Sequence, residues 1–584
     1  MAPENTSATP TTKTKEQPKQ RVSVSDERKA HPSSANARRM SSATKTDASN
    51  QPQSLQAYHP TQNAAAQRKN DKAATKNCSK SRETKHAPKA PIIATKTSFL
   101  PSHEYRSAED VQAAVDEMRE FFQTGATMPL HYRRGVLVKL RAYLKKHEKE
   151  ALQALTDDLG KSSFEGYATE LGIVYDEIRF CLSKMYGWAK PKRVPTPLAH
   201  FPSSSKIYAS PYGVAAVLSP WNYPLQLALV PMIDALTAGN CVVLKPSRTS
   251  QSTSAFLQKL CEEVFDERLV RCLPGSSEMN DWILSIHFDK IFFTGSPTIG
   301  RQIMHAAAEN LTDVTLELGG KSPCIIASDA NIKRAAQRVA WGKCINSGQT
   351  CVAPDYFLVH ESVADAFADE LATYLLQYYG KRILQCDYYP HMINEHHFNR
   401  VCGLIDNHGP KTRIAFGGGR DRSTLRIEPT ILTGVTLEDP VMKEEIFGPI
   451  IPIITWSDLD EVFSYVRNFG HPLACYLFSE SKVLQEQIIQ AIPFGGATIN
   501  DVVIHLANNH MGFGGFGDSG MGAYHGKQGF DCFTHYKSTL KKSTKIEIPV
   551  RVPPFTKAKC SYQTSRHRKK RGLAQCQPSF ISLS

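Results

Sequence analysis

The stretch Lys290-Ile-Phe-Phe-Thr-Gly-Ser-Pro-Thr-Ile-Gly300 contains the pattern that decides the fold. Residues 290–293 read as a short buried strand, and the small residues that follow form a turn. This turn opens a helical pattern that continues to Asn310. A strand that passes through a short turn into a helix is typical of a right-handed βαβ unit, so the stretch predicts a parallel sheet covered by helices.

The same alternation extends on both sides of this unit. Upstream, the periodicity predicts helices at residues 111–123, 131–158, 164–189, 225–237 and 254–265, and strands at 205–210, 213–218 and 241–244. Downstream of Glu317, it predicts strands at residues 324–327, 355–360, 450–455 and 474–479, which alternate with helices at 332–344, 363–379, 459–469 and 483–491. The sequence therefore predicts an α/β protein with two parallel-sheet domains.

The length and charge of the chain limit the possible domain count and binding partners. The chain has 584 residues, enough for more than one domain and a large core. Its formal net charge of +14 comes from the two ends, because residues 1–98 carry eighteen basic and seven acidic side chains and residues 551–584 carry eight basic and no acidic ones. The stretch between them is slightly acidic, so we expect no nucleic-acid binding by the folded body.

Both ends are predicted to be disordered basic tails. Residues 1–98 are rich in Ser, Thr, Ala, Lys, Gln and Pro and too poor in large apolar residues to offset the entropy of ordering. The second tail, residues 553–584, contains the run Arg566-His-Arg-Lys-Lys-Arg571, which we interpret as solvated charge. The first tail has an alternative interpretation as a transit peptide, which its early acidic residues disfavour.

The cysteines and the hydropathy indicate a reducing compartment without membrane insertion. Fourteen cysteines show no C-x-x-C spacing, and the N-terminus lacks the apolar segment of a signal peptide. The longest apolar stretch, residues 221–244, is interrupted by Pro224, Pro231, Asp234 and Gly239, so no transmembrane segment is predicted. We therefore expect a cytoplasmic protein, or an organellar one if the first tail is a transit peptide.

A candidate nucleophile lies in the stretch Ile345-Asn-Ser-Gly-Gln-Thr-Cys-Val-Ala-Pro-Asp355. Here Cys351 follows a short polar turn and precedes an apolar segment with a proline. A cysteine at the end of such a loop can present a thiol that a nearby base or backbone N–H groups activate. The alternative is a small buried hydrophobic residue, the usual role of an intracellular cysteine.

Three polar residues in distinctive surroundings accompany this cysteine. Asn222 stands between two prolines in Pro220-Trp-Asn-Tyr-Pro224, where its side chain is either a fixed hydrogen-bond donor or a turn former. Glu317 is flanked by leucines beside a glycine pair, so it is either a desolvated general base or a structural acid paired with Lys321. Glu445 precedes Phe447 in a segment suited to a ribose and a flat ring, or is a surface acid next to a core phenylalanine.

Together these residues resemble the aldehyde dehydrogenase superfamily over about residues 100 to 555. Three segments are similar to the class-three branch, which includes the fatty and aromatic aldehyde dehydrogenases: Cys351-Val-Ala-Pro-Asp-Tyr356, Pro440-Val-Met-Lys-Glu-Glu-Ile-Phe-Gly-Pro449 and Ser519-Gly-Met-Gly-Ala-Tyr-His-Gly-Lys527. The resemblance implies a Rossmann-like cofactor domain, a catalytic domain and a small oligomerisation element. With the tails it predicts a cofactor domain at 99–316, whose residues 196–210 join the oligomerisation element, a catalytic domain at 317–530 and an oligomerisation segment at 531–552.

The same resemblance assigns chemistry to the quartet. Cys351 matches the family's nucleophile, Glu317 its general base and Asn222 its oxyanion-stabilising asparagine. The implied reaction is NAD(P)-dependent oxidation of a small-molecule aldehyde, medium- or long-chain aliphatic or aromatic, to the carboxylic acid. It proceeds through a cysteine thiohemiacetal and a thioester, and a water that Glu317 activates releases the acid.

The resemblance also assigns a site for NAD or NADP. The residues implied are Trp221, Lys245, Ser247, Gly295, Ser296, Gly300, Glu445 and Phe447. Lys245 would hold the adenosine ribose, and the glycine turn would admit the pyrophosphate to a helix N-terminus. The family often has a glutamate where this chain has Arg248, so we expect NADP to be used at least as well as NAD.

Assembly, the glycine-rich segment and the histidines give three further predictions. The chain is expected to form a homodimer. The glycine-rich segment 512–522 is expected near the substrate funnel. His391, His396 and His397 lie in a helical pattern and are interpreted as a solvated face, so no metal site is predicted. The rival hypothesis for the whole protein is a non-catalytic scaffold whose basic tails bind anionic surfaces.

Overall fold

A computed structural model describes residues 105–273, 276–547, 551–559 and 561. The predicted tail at residues 1–98 lies outside these residues, as does most of the predicted tail at 553–584. The helices are α1 Ala108–Gln123, α2 Leu130–Lys146, α3 Glu148–Leu159, α4 Ser163–Gly166, α5 Gly172–Trp188, α6 Gln226–Ala238, α7 Gln251–Val264, α8 Ser277–Ser285, α9 Pro297–Glu309, α10 Ile332–Cys344, α11 Ala364–Tyr379, α12 Glu395–Asp406, α13 Leu459–Arg467, α14 Lys482–Ala491 and α15 Gly526–Cys532.

The strands are β1 Lys192–Val194, β2 Ser203–Pro211, β3 Val214–Leu218, β4 Cys241–Lys245, β5 Val270–Cys272, β6 Lys290–Gly295, β7 Asp313–Leu318, β8 Pro323–Ile326, β9 Tyr356–His360, β10 Arg413–Phe416, β11 Arg420–Asp421, β12 Arg426–Ile427, β13 Thr430–Thr433, β14 Ile450–Trp456, β15 Ala474–Phe478, β16 Gly496–Ile499, β17 Gly520–Met521 and β18 Thr534–Lys542. Among these, β11 and β12 form a small ribbon by themselves. The remaining strands form three sheets.

The first sheet has six strands in the order β17-β7-β6-β3-β4-β5. The five strands from β7 to β5 pair in parallel, and β17 joins antiparallel with Gly520 opposite Glu317. All five residues of β3 and of β4 are buried, which follows from helices covering both faces. The predicted parallel sheet is therefore confirmed.

The second sheet has seven strands in the order β10-β13-β14-β9-β8-β15-β16. Every pair is parallel except the edge pair of β10 with β13. Its strands come from residues 323–499, whereas β7 with Glu317 and β17 both belong to the first sheet. We therefore propose that the boundary between the two domains follows Leu318 and that the chain returns to the first domain before Gly520.

A third sheet joins β1, β2 and β18 in that order. Strand β18 lies antiparallel to β2 along its whole length, from Thr534 opposite Pro211 to Lys542 opposite Ser203. The two segments predicted to form an oligomerisation element thus come together in space. Their role in forming a homodimer stays a prediction.

Two long predicted helices are interrupted. The prediction of one helix over residues 131–158 is wrong, because His147 has φ −106 and ψ 22 and separates α2 from α3. The prediction over 164–189 is confirmed as one helical run from Ser163 to Trp188, in which a π-helical turn at Tyr167–Leu171 separates α4 from α5. A π turn widens the helix by one residue and is often found at functional sites.

Helix α6 fills the space between the first sheet and its neighbouring helices. All thirteen of its residues are buried, so it packs on every face and not along one apolar stripe. This explains the apolar run near residues 221–244 without a membrane. Among the described helices, none is both long and apolar enough to cross a bilayer.

Candidate active site

The candidate nucleophile follows a turn of unusual backbone conformation. After α10 ends at Cys344, Asn346, Ser347 and Gly348 have φ values of 52°, 53° and 74°. A non-glycine residue in this left-handed region carries conformational strain, so neighbouring groups must hold it there. Gly348 has a further reason to be glycine, since a Cβ at this position would lie 2.3 Å from the carbonyl oxygen of Gly448. The turn that leads to Cys351 is therefore packed tightly against the loop after Phe447.

Hydrogen bonds join this turn to the asparagine loop. Asn222 is buried, and its Nδ2 donates to the carbonyl of Gln349 at 3.1 Å. The side-chain Nδ2 of Asn346 donates to the carbonyls of Asn222 at 2.7 Å and of Gln349 at 3.0 Å. The predicted fixed donor and the predicted nucleophile thus lie on two loops that share one hydrogen-bond network.

A buried ion pair supports the asparagine loop from behind. Lys161 Nζ lies 2.6 Å from Glu170 Oε1 and donates to the Asn222 carbonyl at 3.1 Å. The other oxygen of Glu170 accepts from the backbone N–H groups of Leu225 at 2.9 Å and Gln226 at 3.2 Å, where α6 begins. Neither charged residue is recognisable as part of a site from the sequence, because Lys161 stands between two predicted helices and Glu170 looks like an acid on a solvated helix face.

Glu317 lies on β7 and is buried. Neither of its carboxylate oxygens has a hydrogen-bond partner among the described residues, and burial raises the pKa of the carboxyl well above its usual range. The alternative of a structural pair with Lys321 is wrong, because the ammonium of Lys321 lies 2.5 Å from Asp355 Oδ2. The acid is thus desolvated, as a general base at this position requires.

Segment 512–522 covers Glu317. A Cβ at Gly514 would lie 2.9 Å from Glu317 Oε1 and 2.2 Å from the carbonyl oxygen of Gly522. Only glycine therefore fits at this point of the segment. Phe513, next to it, lines the cavity that opens at Cys351.

Glu445 lies against the glycine pair that follows β7. A Cβ at Gly319 would lie 2.0 Å from Glu445 Oε2, so the missing side chain makes room for this carboxylate. Burial and the neighbouring carboxylate of Asp355 raise the pKa of Glu445 to about 8. Glu444 behaves differently, since it is exposed and forms an ion pair with Arg400 at 3.0 Å.

Two aromatic rings meet beside this glutamate. The ring of Trp221 lies 5.4 Å from that of Phe447 in an edge-to-face arrangement, and 4.7 Å from the ring of His397. The solvated face predicted for the histidines is therefore wrong for His397, whose pKa burial lowers to about 4. It is also wrong for His391, which precedes α12 and is partly buried.

The thiol of Cys351 is not a low-pKa thiol in this structure. Burial raises its pKa to about 12, and the carboxylates of Glu445 and Glu317 contribute in the same direction. At neutral pH the sulfur therefore carries its proton. A base or a positive charge brought into the site is needed to make the thiolate, which is the reactive form.

A cavity of about 160 Å³ opens beside this sulfur. None of the described residues that line it is Asp, Glu, Lys or Arg, and burial lowers the pKa of His525 in its wall to about 4, so that wall is uncharged. The main apolar contributors are Ile173, Tyr223, Leu227, Trp341, Phe513 and Tyr524. The cavity suits an apolar molecule with one reactive group directed at the cysteine.

The candidate cofactor residues of the first sheet lie at the carboxyl ends of its parallel strands, where ligands of open α/β sheets bind. Lys245 ends β4, and burial lowers the pKa of its ammonium to about 8. Within the described residues its ammonium makes one hydrogen bond, of 3.3 Å to the Pro246 carbonyl, so it remains able to bind hydroxyls or phosphates. Gly295 ends β6, and Ser296 caps α9 by accepting from the N–H of Ile299 at 3.4 Å. Gly300, one turn into α9, has no space for a Cβ, which would lie 2.8 Å from Leu318 Cδ2.

The loop after β4 carries the two remaining candidates. Ser247 accepts from the N–H of Thr249 at 3.2 Å and is partly exposed. Arg248 is exposed, and its Nη1 donates to the hydroxyl of Ser277, at the start of α8, at 2.9 Å. Its guanidinium thus lies at the sheet edge that carries Lys245, held by a hydroxyl rather than by a carboxylate.

Comparison with known proteins identifies the family. Residues 89–539 match the aldehyde dehydrogenase family. The chain is 43% identical to 4,4'-diaponeurosporen-aldehyde dehydrogenase of Staphylococcus aureus (strain NCTC 8325 / PS 47) over 446 residues, which is 76% of this chain and 96% of that protein. It is 42% identical to aldehyde dehydrogenase family 3 member H1 of Arabidopsis thaliana, over 76% of this chain and 92% of that protein.

A solved structure gives the same result for the fold. The substrate-bound state of Staphylococcus aureus AldH superposes with a TM-score of 0.76 at 42% identity, over 78% of this chain and 99% of that one. The chain belongs to the aldehyde dehydrogenase family, in the branch of its family 3 relatives, and is an aldehyde-oxidising enzyme.

Proposed function

We propose that this aldehyde dehydrogenase oxidises an apolar aldehyde, medium- or long-chain aliphatic or aromatic, to the carboxylic acid with Cys351 as nucleophile. The observation that carries the proposal is the position of Cys351 in the wall of an uncharged cavity, with the desolvated Glu317 nearby. A long apolar chain would fill the cavity and leave its polar carbonyl at the sulfur.

The first step forms a bond between Cys351 Sγ and the aldehyde carbon. As this bond forms, the S–H bond breaks and its proton is released through water to the solvent, because a pKa of about 12 keeps it on the sulfur until then. The oxygen that gains the electron pair needs preorganised donors, and we assign this role to Asn222 Nδ2 and the backbone N–H of Cys351. Asn222 is suited to it, since a hydrogen bond to Gln349 fixes its orientation.

A nicotinamide nucleotide bound at this site would supply the acceptor for the hydride that leaves the aldehyde carbon. We propose that Lys245, Ser296 and the start of α9 hold its phosphates and ribose, while Trp221, Glu445 and Phe447 surround its reactive end. The protein then holds the acyl group as a thioester on Cys351. Glu317 takes a proton from a water molecule, the water oxygen bonds to the acyl carbon, and the C–S bond breaks to return the thiol and the acid.

We further propose that NADP is used at least as well as NAD. Arg248 would donate to a 2′-phosphate in place of its present bond to Ser277. The homodimer and the cytoplasmic location are likewise proposals. The dimer can be tested by size-exclusion chromatography with light scattering, before and after residues 534–542 are replaced with a polar linker.

The experiment that tests the function measures NAD(P)H absorbance with a series of straight-chain and aromatic aldehydes. Wild-type protein is expected to turn over, with kcat/KM rising with chain length until the cavity is filled. Cys351→Ala is expected to lose turnover and keep cofactor binding by intrinsic fluorescence. Cys386→Ala, which changes a partly exposed cysteine outside the cavity lining, is the matched control and should retain activity. Absence of turnover by the wild-type protein with every aldehyde and both cofactors would overturn the proposed substrate class.

A further inference from the structure

The turn before Cys351 needs an external support. Asn346 and Ser347 both adopt left-handed φ values, and neither is a glycine. Such a conformation is held only when surrounding groups over-determine it. The groups that hold this turn therefore set where the nucleophile lies.

Glu165 is the charged group that reaches the turn. Its Oε1 accepts the backbone N–H of Asn346, the first left-handed residue, at 2.7 Å. The two residues are 181 positions apart in the chain. The acid itself is fixed on α4, where Ser162 Oγ accepts the Glu165 N–H at 3.1 Å.

The Glu165 carboxylate forms no ion pair among the described residues that would explain its burial. None of the ion pairs in the described part of the chain includes Glu165, and nearby Lys161 is already paired with Glu170 at 2.6 Å. Burial raises the pKa of Glu165 to about 7, so keeping its charge in place costs stability. A residue that costs stability and contacts the nucleophile turn is expected to act on the reaction.

The contact is transmitted to both loops of the site. Asn346, once fixed through its N–H, directs its side chain to the carbonyls of Asn222 and Gln349. The carbonyl of Gln349 also accepts a hydrogen bond from the side-chain amide of Asn222. The oxyanion donor and the cysteine loop thus depend on the same asparagine.

We propose that Glu165 is a positioning residue of the dehydrogenase, whose carboxylate holds the Asn346–Gly348 turn and thereby places Cys351 against the substrate carbonyl. This inference rests on the proposed role of Cys351 as nucleophile. It assigns Glu165 no contact with substrate or cofactor. Its effect is on the fraction of molecules in which the thiol is correctly placed.

Three substitutions separate the parts of this contact. Glu165→Gln keeps an acceptor oxygen on a side chain of the same length. Glu165→Asp keeps the negative charge but shortens the side chain by one methylene group. Glu165→Ala removes both. Glu148→Ala is the matched control, because Glu148 also accepts a hydrogen bond, from Tyr175 at 3.1 Å, but has no described bond to the nucleophile turn.

The expected results distinguish positioning from stability. Glu165→Ala and Glu165→Asp should lower kcat about ten- to a hundredfold, the effect of losing a charge-assisted bond, while KM for the cofactor changes less than about threefold. Glu165→Gln should stay within about fivefold of wild type. Glu148→Ala should keep wild-type kcat. Equal kcat per folded molecule in wild type, Glu165→Asp and Glu165→Gln would overturn the proposal.

A second readout does not need turnover. The rate at which iodoacetamide alkylates Cys351, followed by peptide mass spectrometry, should fall in Glu165→Asp and recover in Glu165→Gln, at thermal midpoints within a few degrees of wild type. Unchanged alkylation in Glu165→Asp would overturn the positioning role. If the alkylation rates of the wild-type protein and the two variants follow this pattern but the wild-type protein oxidises no aldehyde, the proposed function fails while the positioning role stands.

Discussion

The side chain of Asn222 and the backbone carbonyl of Gln349 are joined by a hydrogen bond of 3.1 Å across 127 residues of chain. This bond connects the loop after β3 to the loop that presents Cys351. Asn346 donates to the carbonyls of both residues, so the two loops form one unit. The chemistry of the site is therefore sensitive to changes on either loop.

Replacing Asn222 with alanine should lower kcat by about 10²- to 10³-fold, the usual cost of removing one oxyanion donor. The physical reason is the loss of a preorganised N–H where negative charge develops on the aldehyde oxygen. Steady-state kinetics with a saturating aldehyde measures the effect. Asn407→Ala is the control, since Asn407 is exposed just after α12 and donates to the Gly403 carbonyl at 2.8 Å. A loss of less than threefold in Asn222→Ala would remove the residue from the oxyanion site.

Glu317→Gln should slow release of the acid more than formation of the thioester. The amide cannot take a proton from water, whereas attack by the sulfur needs this base less. A stopped-flow trace should show a burst of NAD(P)H close to one equivalent, followed by a slow steady state. Glu309→Gln, at the exposed end of α9, should show no burst. Loss of the burst together with the steady state would assign Glu317 to an earlier step.

Arg248→Glu should shift cofactor preference toward NAD. The carboxylate would accept from a ribose 2′-hydroxyl and repel a 2′-phosphate, whereas the arginine donates to the phosphate. The ratio of kcat/KM for NADP to that for NAD should fall about ten- to a hundredfold. Arg334→Glu, an exposed arginine on α10, should leave the ratio unchanged. The same ratio in Arg248→Glu and wild type would place the arginine outside the cofactor site.

The stability of the apoenzyme should fall as pH rises from about 5 to 8, in part because of Glu445. The pKa of Glu445 is about 8 in the folded protein, compared with 4.5 for an ordinary glutamate in the unfolded chain. Between these two values the folded protein holds a proton that the unfolded chain has released. The free energy of unfolding then decreases by up to about 1.4 kcal/mol per pH unit for this group. Below about pH 4.5 both states hold the proton, and above about pH 8 neither does.

Urea unfolding at several pH values measures this contribution. Glu445→Gln should show a shallower decline between pH 5 and 8, because the amide does not titrate. Glu444→Gln, its exposed neighbour paired with Arg400, should follow the wild-type curve. Parallel curves for Glu445→Gln and wild type would show that this carboxyl titrates normally in the folded protein.

Local patterns in the sequence determined most of the fold and supplied the candidate site residues. Helix α10 has the predicted bounds, and β9, β14 and β15 lie within one residue of prediction, because apolar periodicity and turn residues are local signals. The residues of the site stand in short motifs that need no partner to be recognised. Glu317 is also found desolvated, as its leucine neighbours indicated.

The tertiary structure alone decided which groups support those residues. Nothing near Glu165 in the sequence indicates that it bonds the N–H of Asn346, because the partner is 181 residues away. The raised pKa of Cys351 depends likewise on burial and on two acids from other segments. The break at His147 and the π turn before α5 both occur within patterns that favour continuous helix. A residue's type and neighbours determine its local conformation, but hydrogen-bond partners and dielectric surroundings exist only once distant segments have packed together.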